Sequence, residues 1–352
     1  MAILTARIRV GLIGYGMAGR VFHAPLIRAA PGLELAAIVT SRAEAVAALD
    51  PAIPCVALTA DLLADPAIQA VVVATPSATH AAIAADALRA GKHVVVDKPF
   101  ALSLDEAKAL AALARSSGRR LAVFHNRRFD SDFLSIRAAI EEGAIGQVTH
   151  FESHFDRFRP EVRDRWREDG SAGSGVWFDL GPHLVDQALA LFGRPLAVSA
   201  DIVALRPGSG ADDWAHVVLR YERMRVVLHA SLNAPDDGGG GRPRFAVHGD
   251  KGSLIKRRID PQEAQLIGGM RPGDAGWGVD SDPVAVYDRD GGMTLRPATR
   301  GCQEQFYRQM ADTWTRGSVA PILLDEAVAV QEVIEAALLS ARKDRVVAMP
   351  LP

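Results

Sequence analysis

The sequence predicts an α/β N-terminal domain built on a parallel sheet, then an α+β C-terminal domain with a large open mixed or antiparallel sheet. Three observations predict it. Near the N-terminus a compact apolar run, RIRVGLIG, ends in a glycine-rich turn before a helical pattern begins. Apolar runs then alternate with helical segments as far as His125, and the runs are continuous, as in strands buried on both faces. From about Gln147 the pattern changes to strands in succession joined by short turns.

In order, Gly14, Gly16 and Gly19 fall on the spacing G-x-G-x-x-G between the first strand and its helix, with Tyr15, Met17 and Ala18 between them. Such a turn needs glycine to bend sharply, to approach a pyrophosphate and to let the helix pack on the strand, and the helix N-terminus then holds the phosphates. The turn marks a Rossmann dinucleotide site. LELAAIVT (residues 33–40) is the second strand, and QAVVVATPS (69–77), closed by Pro76, is a further buried one. The segment ATHAAIAADALRAG has helical apolar spacing up to Gly91, and HVVVDKPF (93–100) is again apolar until its end. Ser103 to Glu106 is a capping box opening a helix that runs to about Gly118, and RRLAVFHN closes the first domain, residues 1–125. Ligands of such sheets bind off the carboxyl ends of the strands, where Gly14, Thr75 and Lys98 lie.

The second domain, residues 126–352, holds the strands VTHFESHF, PLAVSADIVAL, AHVVLRY, RVVLHASL and RFAVHG, with a hairpin-like turn at Tyr221 to Met224. Two helices accompany them. One is expected from Pro182, with proline at its first position and Gly181 at its cap. The other starts at Asp325 and carries an apolar stripe of Val330, Val333, Ile334, Ala337, Leu338 and Ala341, which packs back toward the first domain. Pro235 to Gly241 reads as a flexible loop and Gly268 to Asp282 as a second glycine-rich segment.

Composition narrows the function. The 352 residues are 49% hydrophobic and 23% charged, a globular composition, and the formal charge of -2 gives no reason to expect nucleic acid. No apolar stretch reaches the length of a membrane span. The start of the chain lacks a secretory pattern, so a cytoplasmic protein is expected. Cys55 and Cys302 stand apart, outside any metal-binding spacing, so neither a disulfide nor a metal is expected and both read as buried or incidental.

An acidic residue after the second strand would accept hydrogen bonds from a ribose 2′-hydroxyl and select NAD. This strand ends Thr40-Ser41-Arg42 instead, with no carboxylate, and Arg42 suits a 2′-phosphate, so NADP is favoured over NAD. Ser41 can alternatively serve only as a helix cap. Lys98 ends a buried strand, where an ammonium can stabilise developing negative charge on a substrate oxygen or exchange a proton. In Asp179-Leu180-Gly181-Pro182-His183 the positive end of the expected helix would keep His183 neutral and able to accept a proton, with Asp179 orienting it. Asn126, Arg127 and Arg128, and His154, Arg157, Arg159 and Trp166, are further polar candidates. The charges alternating through 156–169 otherwise read as a solvated surface.

GYGMAG, ATPSATHAAIAADALRAGKHVVVDKPF, NRRFD and DLGPH together resemble the Gfo/Idh/MocA family of oxidoreductases over nearly the whole chain. The most specific part is the lysine-proline strand end with Thr75, Pro76 and His80 upstream and Asp179 and His183 downstream. FHAPLI, VVDKPF, HFDRFRP and DLGPHLVDQALALFG are most similar to its NADP-dependent scyllo-inositol dehydrogenase-like branch. The resemblance implies a dehydrogenase of sugars, inositols or related alcohols, assembled as a homodimer or homotetramer through the C-terminal sheet. By the same resemblance Lys98, Asp179 and His183 are the catalytic trio. Asn126 matches a substrate-contacting position of the family; His154, Arg159 and Trp166, from the polar candidates above, are expected substrate contacts beside the trio, and Thr75, Pro76, His80, Lys98 and Arg127 expected cofactor contacts. Asp97 departs from the glutamate that many members carry before the lysine. A non-catalytic NADP-binding regulator, or a reductase of a tetrapyrrole or imine, would also suit the fold.

Overall fold

The structure, a computed structural model, describes residues 7–49, 51–234 and 241–350. The loop expected from Pro235 lies outside the described residues as far as residue 240. Two compact units are present. The first holds the chain up to Asn126 together with Gln262–Trp277 and Cys302–Val328, and the second holds Arg127–Pro261, Gly278–Gly301 and the chain from Ala329.

The first unit contains strands β1 (Ile8–Ile13), β2 (Leu33–Val39), β3 (Cys55–Val56), β4 (Ala70–Val73), β5 (His93–Val96) and β6 (Leu121–Val123). Between them run α1 (Ala24–Arg28), α2 (Ala43–Leu49), α3 (Thr59–Ala64), α4 (His80–Arg89) and α5 (Leu104–Ser117). All strand pairs are parallel, in the order β3-β2-β1-β4-β5-β6. Val10, Leu12, Val71, Val72, Val94 and Val95 are fully buried, which is why these strands read as unbroken apolar runs. Strand order reverses at β1, between β2 and β4, and the crevice at such a switch point is where the fold binds a ligand. The capping box holds: the Glu106 N–H donates to Ser103 Oγ at 3.2 Å, and α5 ends on left-handed Gly118.

The second unit contains α6 (Ser131–Glu141), β7 (Val148–Asp156), α7 (Val176–Phe192), β8 (Ala197–Val203), β9 (Trp214–Arg220), β10 (Arg225–Ser231), β11 (Phe245–Gly249) and β12 (Gly252–Lys256). After α8 (Gln262–Ile267), which belongs to the first unit, come β13 (Val284–Asp288) and β14 (Met293–Arg296) of the second, α9 (Glu304–Arg316) of the first, α10 (Leu324–Lys343), which starts in the first and continues in the second, and β15 (Val347–Ala348) of the second. The nine strands order as β14-β13-β12-β11-β7-β10-β9-β8-β15 and are antiparallel except for β7 with β10, so the sheet is mixed. The hairpin at Tyr221 to Met224 forms, closed by Tyr221 N–H on Met224 O at 3.1 Å. One face of the sheet carries Phe151, Phe155, Leu228 and Phe245 against Trp177, Leu180 and Leu184 of α7, and this is the core of the unit.

Two segments expected in the second domain belong with the first unit. Helix α9 buries Phe306, Tyr307 and Met310 there, and Ala311 packs against Gly32. Cys55, expected to be buried or incidental, is an exposed free thiol, and Cys302 is half-buried.

Candidate active site

In the first unit the chain folds a dinucleotide cradle from the glycine turn. Gly14 has φ +100°, and a Cβ there would lie 2.5 Å from Ala74 O. A Cβ at Gly19 would run into Gly14 O, whereas one at Gly16 would meet nothing within 4 Å, so the backbone is approachable from outside at that point. Ala18–His23 then winds as one wide π turn running into α1, a local geometry often found at functional sites. These residues fit the pyrophosphate of a dinucleotide. Tyr15 is buried and Met17 is half exposed beside the turn.

Neighbouring strands deliver the remaining candidates. Ser41 and Arg42 follow β2 and are exposed, with the Arg42 N–H on Thr40 Oγ1 at 3.0 Å. Thr75 and Pro76 follow β4, and Thr75 Oγ1 pairs with Thr79 Oγ1 at 2.7 Å. Asp97 and Lys98 follow β5, joined to Pro99 by a cis peptide bond, and Lys98 is half-buried. His80 is 1% exposed, with Nδ1 2.9 Å from Pro99 O and Nε2 2.9 Å from Thr75 O. It therefore spans the ends of two adjacent strands from beneath. Asn126 is buried after β6.

In the second unit α7 begins at Val176, not at Pro182, so proline sits inside the helix and His183 lies beyond its first turn. The argument that the helix N-terminus keeps His183 neutral therefore does not hold, because that potential fades within the first turn. Asp179 is the residue in the first turn, and the spacing of one turn places Asp179 and His183 on one face. The helix starts early because Asp212, far along the chain, caps it: Trp177 N–H donates to Asp212 Oδ2 at 2.7 Å and Val176 N–H to Asp212 O at 2.8 Å. Gly181 is required where a Cβ would come 2.8 Å from the Trp177 ring and 3.0 Å from Ile334.

His183 is 5% exposed and faces Phe155, with ring centroids 6.3 Å apart. Arg167 Nε lies 3.5 Å from Asp179 Oδ1, and its guanidinium covers the Trp166 ring at 4.6 Å. The segment around Arg159 is largely exposed or half-exposed, as expected, but it is anchored from below by a buried arginine. Buried Arg206 donates to Arg159 O at 2.9 Å, Glu161 O at 3.1 Å and Glu168 Oε2 at 2.9 Å, and pairs with Asp213 at 2.9 Å. Burial, with Arg157, Arg165 and Arg163 nearby, lowers the Arg159 pKa, and Asp179 acts against that. Arg206 escaped the sequence reading, and only its isolation in a glycine-rich loop hinted at a role.

Two expected contacts have partners within the second unit. His154 projects to the opposite face of the sheet from Phe155 and His183, where it meets Glu152 at 2.9 Å and stacks near His229. Strand alternation carried that signal, since Phe151 and Phe155 face the core and His154 lies out of phase with them. Arg127 is engaged within the second unit, paired with Asp130 at 2.9 Å and set over Phe155 at 5.0 Å. Arg128 is held at 2.8 Å by buried Asp186.

A parallel sheet with a glycine turn at its switch point is the arrangement that binds a dinucleotide, and comparison with known proteins narrows the class to an oxidoreductase. Residues 8–125 match the profile of the oxidoreductase family's NAD-binding Rossmann fold, and 137–349 that of its C-terminal alpha/beta domain. The chain belongs to the Gfo/Idh/MocA family of oxidoreductases. It is 44% identical to the oxidoreductase YdgJ of Escherichia coli, over 96% of this chain and 98% of that one. It is 36% identical to the scyllo-inositol 2-dehydrogenase (NADP+) IolW of Bacillus subtilis, over 97% of this chain and 95% of that one. A crystal structure of an oxidoreductase from Klebsiella pneumoniae, 48% identical, superposes with a TM-score of 0.92 over 99% of this chain and 96% of that one. Among the described residues no helix is long and apolar enough to cross a membrane.

Proposed function

We propose that the protein transfers a hydride reversibly between NADP(H) and the carbon bearing a secondary hydroxyl of a cyclic polyol or sugar. The observation that carries this reading is Lys98 at the carboxyl end of β5, with the end of β4 between it and the glycine turn after β1. Arg42, with no carboxylate after β2, favours NADP(H), and the Bacillus subtilis relative, a scyllo-inositol 2-dehydrogenase (NADP+), supports both the nucleotide and an inositol-like substrate.

Gly14 to Gly19, Thr75 and Pro76 hold the nucleotide, which when bound supplies the hydride donor or acceptor. His183 takes the hydroxyl proton, Asp179 orients it one turn earlier on α7, and the Lys98 ammonium stabilises the alkoxide-like oxygen. Asn126, Arg159 and Trp166 contact the polyol. Lys98 as the proton acceptor is the competing assignment, and pH-rate profiles of Lys98→Met and His183→Asn separate the two. Unchanged activity in both variants removes the mechanism. The reading includes a cytoplasmic homodimer or homotetramer joined through the face of the C-terminal sheet opposite α7, where Trp214 stacks on His216 at 5.9 Å.

A further inference from the structure

Beneath the lysine that the proposed function uses, the first unit buries a polar chain that none of that chemistry employs. His23 ends the wide turn after the glycines and is fully buried. Its Nδ1 lies 2.6 Å from the hydroxyl of Tyr307, a fully buried residue of α9, and its Nε2 lies 3.7 Å from Asp97 Oδ1. Asp97 Oδ1 in turn accepts the backbone N–H of Lys98 at 2.9 Å, while the Asp97 N–H continues the sheet onto Val73 O at 2.9 Å. The His23 ring is held on Phe124 with centroids 4.3 Å apart, and Phe124 also packs against Phe306 and Tyr307.

We propose that His23, fixed by Tyr307, is a positioning residue for Lys98 that acts through the Asp97 carboxylate. This rests on Lys98 being the group that serves the substrate oxygen.

The hydrogen-bond inventory sets the direction of the chain. The Tyr307 hydroxyl donates to Nδ1 in the tautomer whose ring proton faces the Asp97 carboxylate. The ring proton then sits on Nε2, the nitrogen that faces Asp97. Burial opposes the charge on Asp97, but the approach of His23, Lys98 and His80 outweighs it and holds the carboxyl below its ordinary value. The carboxylate at the root of Lys98 thus accepts the Lys98 N–H on Oδ1 and has the His23 ring 3.7 Å from the same oxygen, an electrostatic contact longer than a hydrogen bond. The short Asp97 side chain keeps its carboxylate close to the backbone, where the His23 ring approaches it. The same element that opens the nucleotide cradle therefore also sets the lysine strand end.

The test compares wild type, Tyr307→Phe, His23→Gln and Asp97→Asn, and the pair Tyr307→Phe with Asp97→Asn, by steady-state hydride transfer and by labelling with trinitrobenzenesulfonate. Labelling of Lys98 is read by peptide mass spectrometry against exposed Lys108. Tyr307→Phe keeps the buried ring, so it carries the test even where His23→Gln does not fold. The expected result is a fall in kcat of about tenfold with the KM for nucleotide unmoved. That loss disappears in the Asp97→Asn background, and the relative labelling rate of Lys98 changes several-fold. Wild-type kcat and labelling in Tyr307→Phe, or an undiminished loss in the Asp97→Asn background, overturns the proposal. Absence of turnover by the wild type itself counts against the dehydrogenase reading instead, and labelling alone then decides the positioning role.

Discussion

The Nδ1 atom of His80 stands 2.9 Å from the carbonyl oxygen of Pro99, so the residue after the catalytic-lysine candidate is held from the loop that follows β4. With Nε2 on Thr75 O, one buried ring fixes two neighbouring strand ends of the cradle. His80→Phe keeps a ring of similar breadth and removes the ring N–H that serves one of these two carbonyls. We expect a stability loss of about 2–4 kcal/mol by urea unfolding. A loss below about half a kcal/mol means the carbonyls find other partners.

Asp212 gives a pH dependence of defined sign. Burial raises its carboxyl from 3.8 to about 6, against the Trp177 N–H bond that favours the charge, and Asp213 adds to the rise. The folded protein thus holds this proton more tightly than the unfolded chain. The stability it contributes is present below 3.8 and is lost as pH rises through about 6. Asp212→Asn keeps an oxygen for the Trp177 N–H, so it is expected to stabilise the fold by about 1–3 kcal/mol above that pH and by nothing below 3.8. Thermal midpoints across the two regimes measure this, and an Asn variant that is less stable at high pH contradicts it.

In the proposed function Arg42 reads the 2′-phosphate of the nucleotide. Arg42→Ala is expected to raise the KM for NADP by about tenfold to a hundredfold, since a charge-assisted contact to a 2′-phosphate is removed. The KM for NAD is expected to stay where it was. Equal effects on both nucleotides show that Arg42 does not read the phosphate.

The parts of this fold that local sequence determines were legible. Unbroken valine runs announced β4 and β5, and the Ser103 to Glu106 box and Gly118 bounded α5. What sequence concealed was made by distant partners. Helix α7 extends upstream of Pro182 because Asp212, 35 residues from Trp177, supplies its cap, and no local signal reveals that. The His23 to Tyr307 contact spans 284 residues and joins two segments that pattern alone assigned to different domains. His154 is the contrary case, since counting its phase against Phe151 and Phe155 would have turned it to the far side of the strand.

The central claim is tested most directly by following nucleotide absorbance while inositols, sugars and sugar acids are supplied in turn with NADP or NAD, for wild type, Lys98→Met and His183→Asn. The account predicts reduction of NADP by at least one cyclic polyol, with NAD slower, and a loss of about a hundredfold or more in kcat in each variant. No nucleotide reduction by the wild type with any of these compounds, or full activity in both variants, would contradict it.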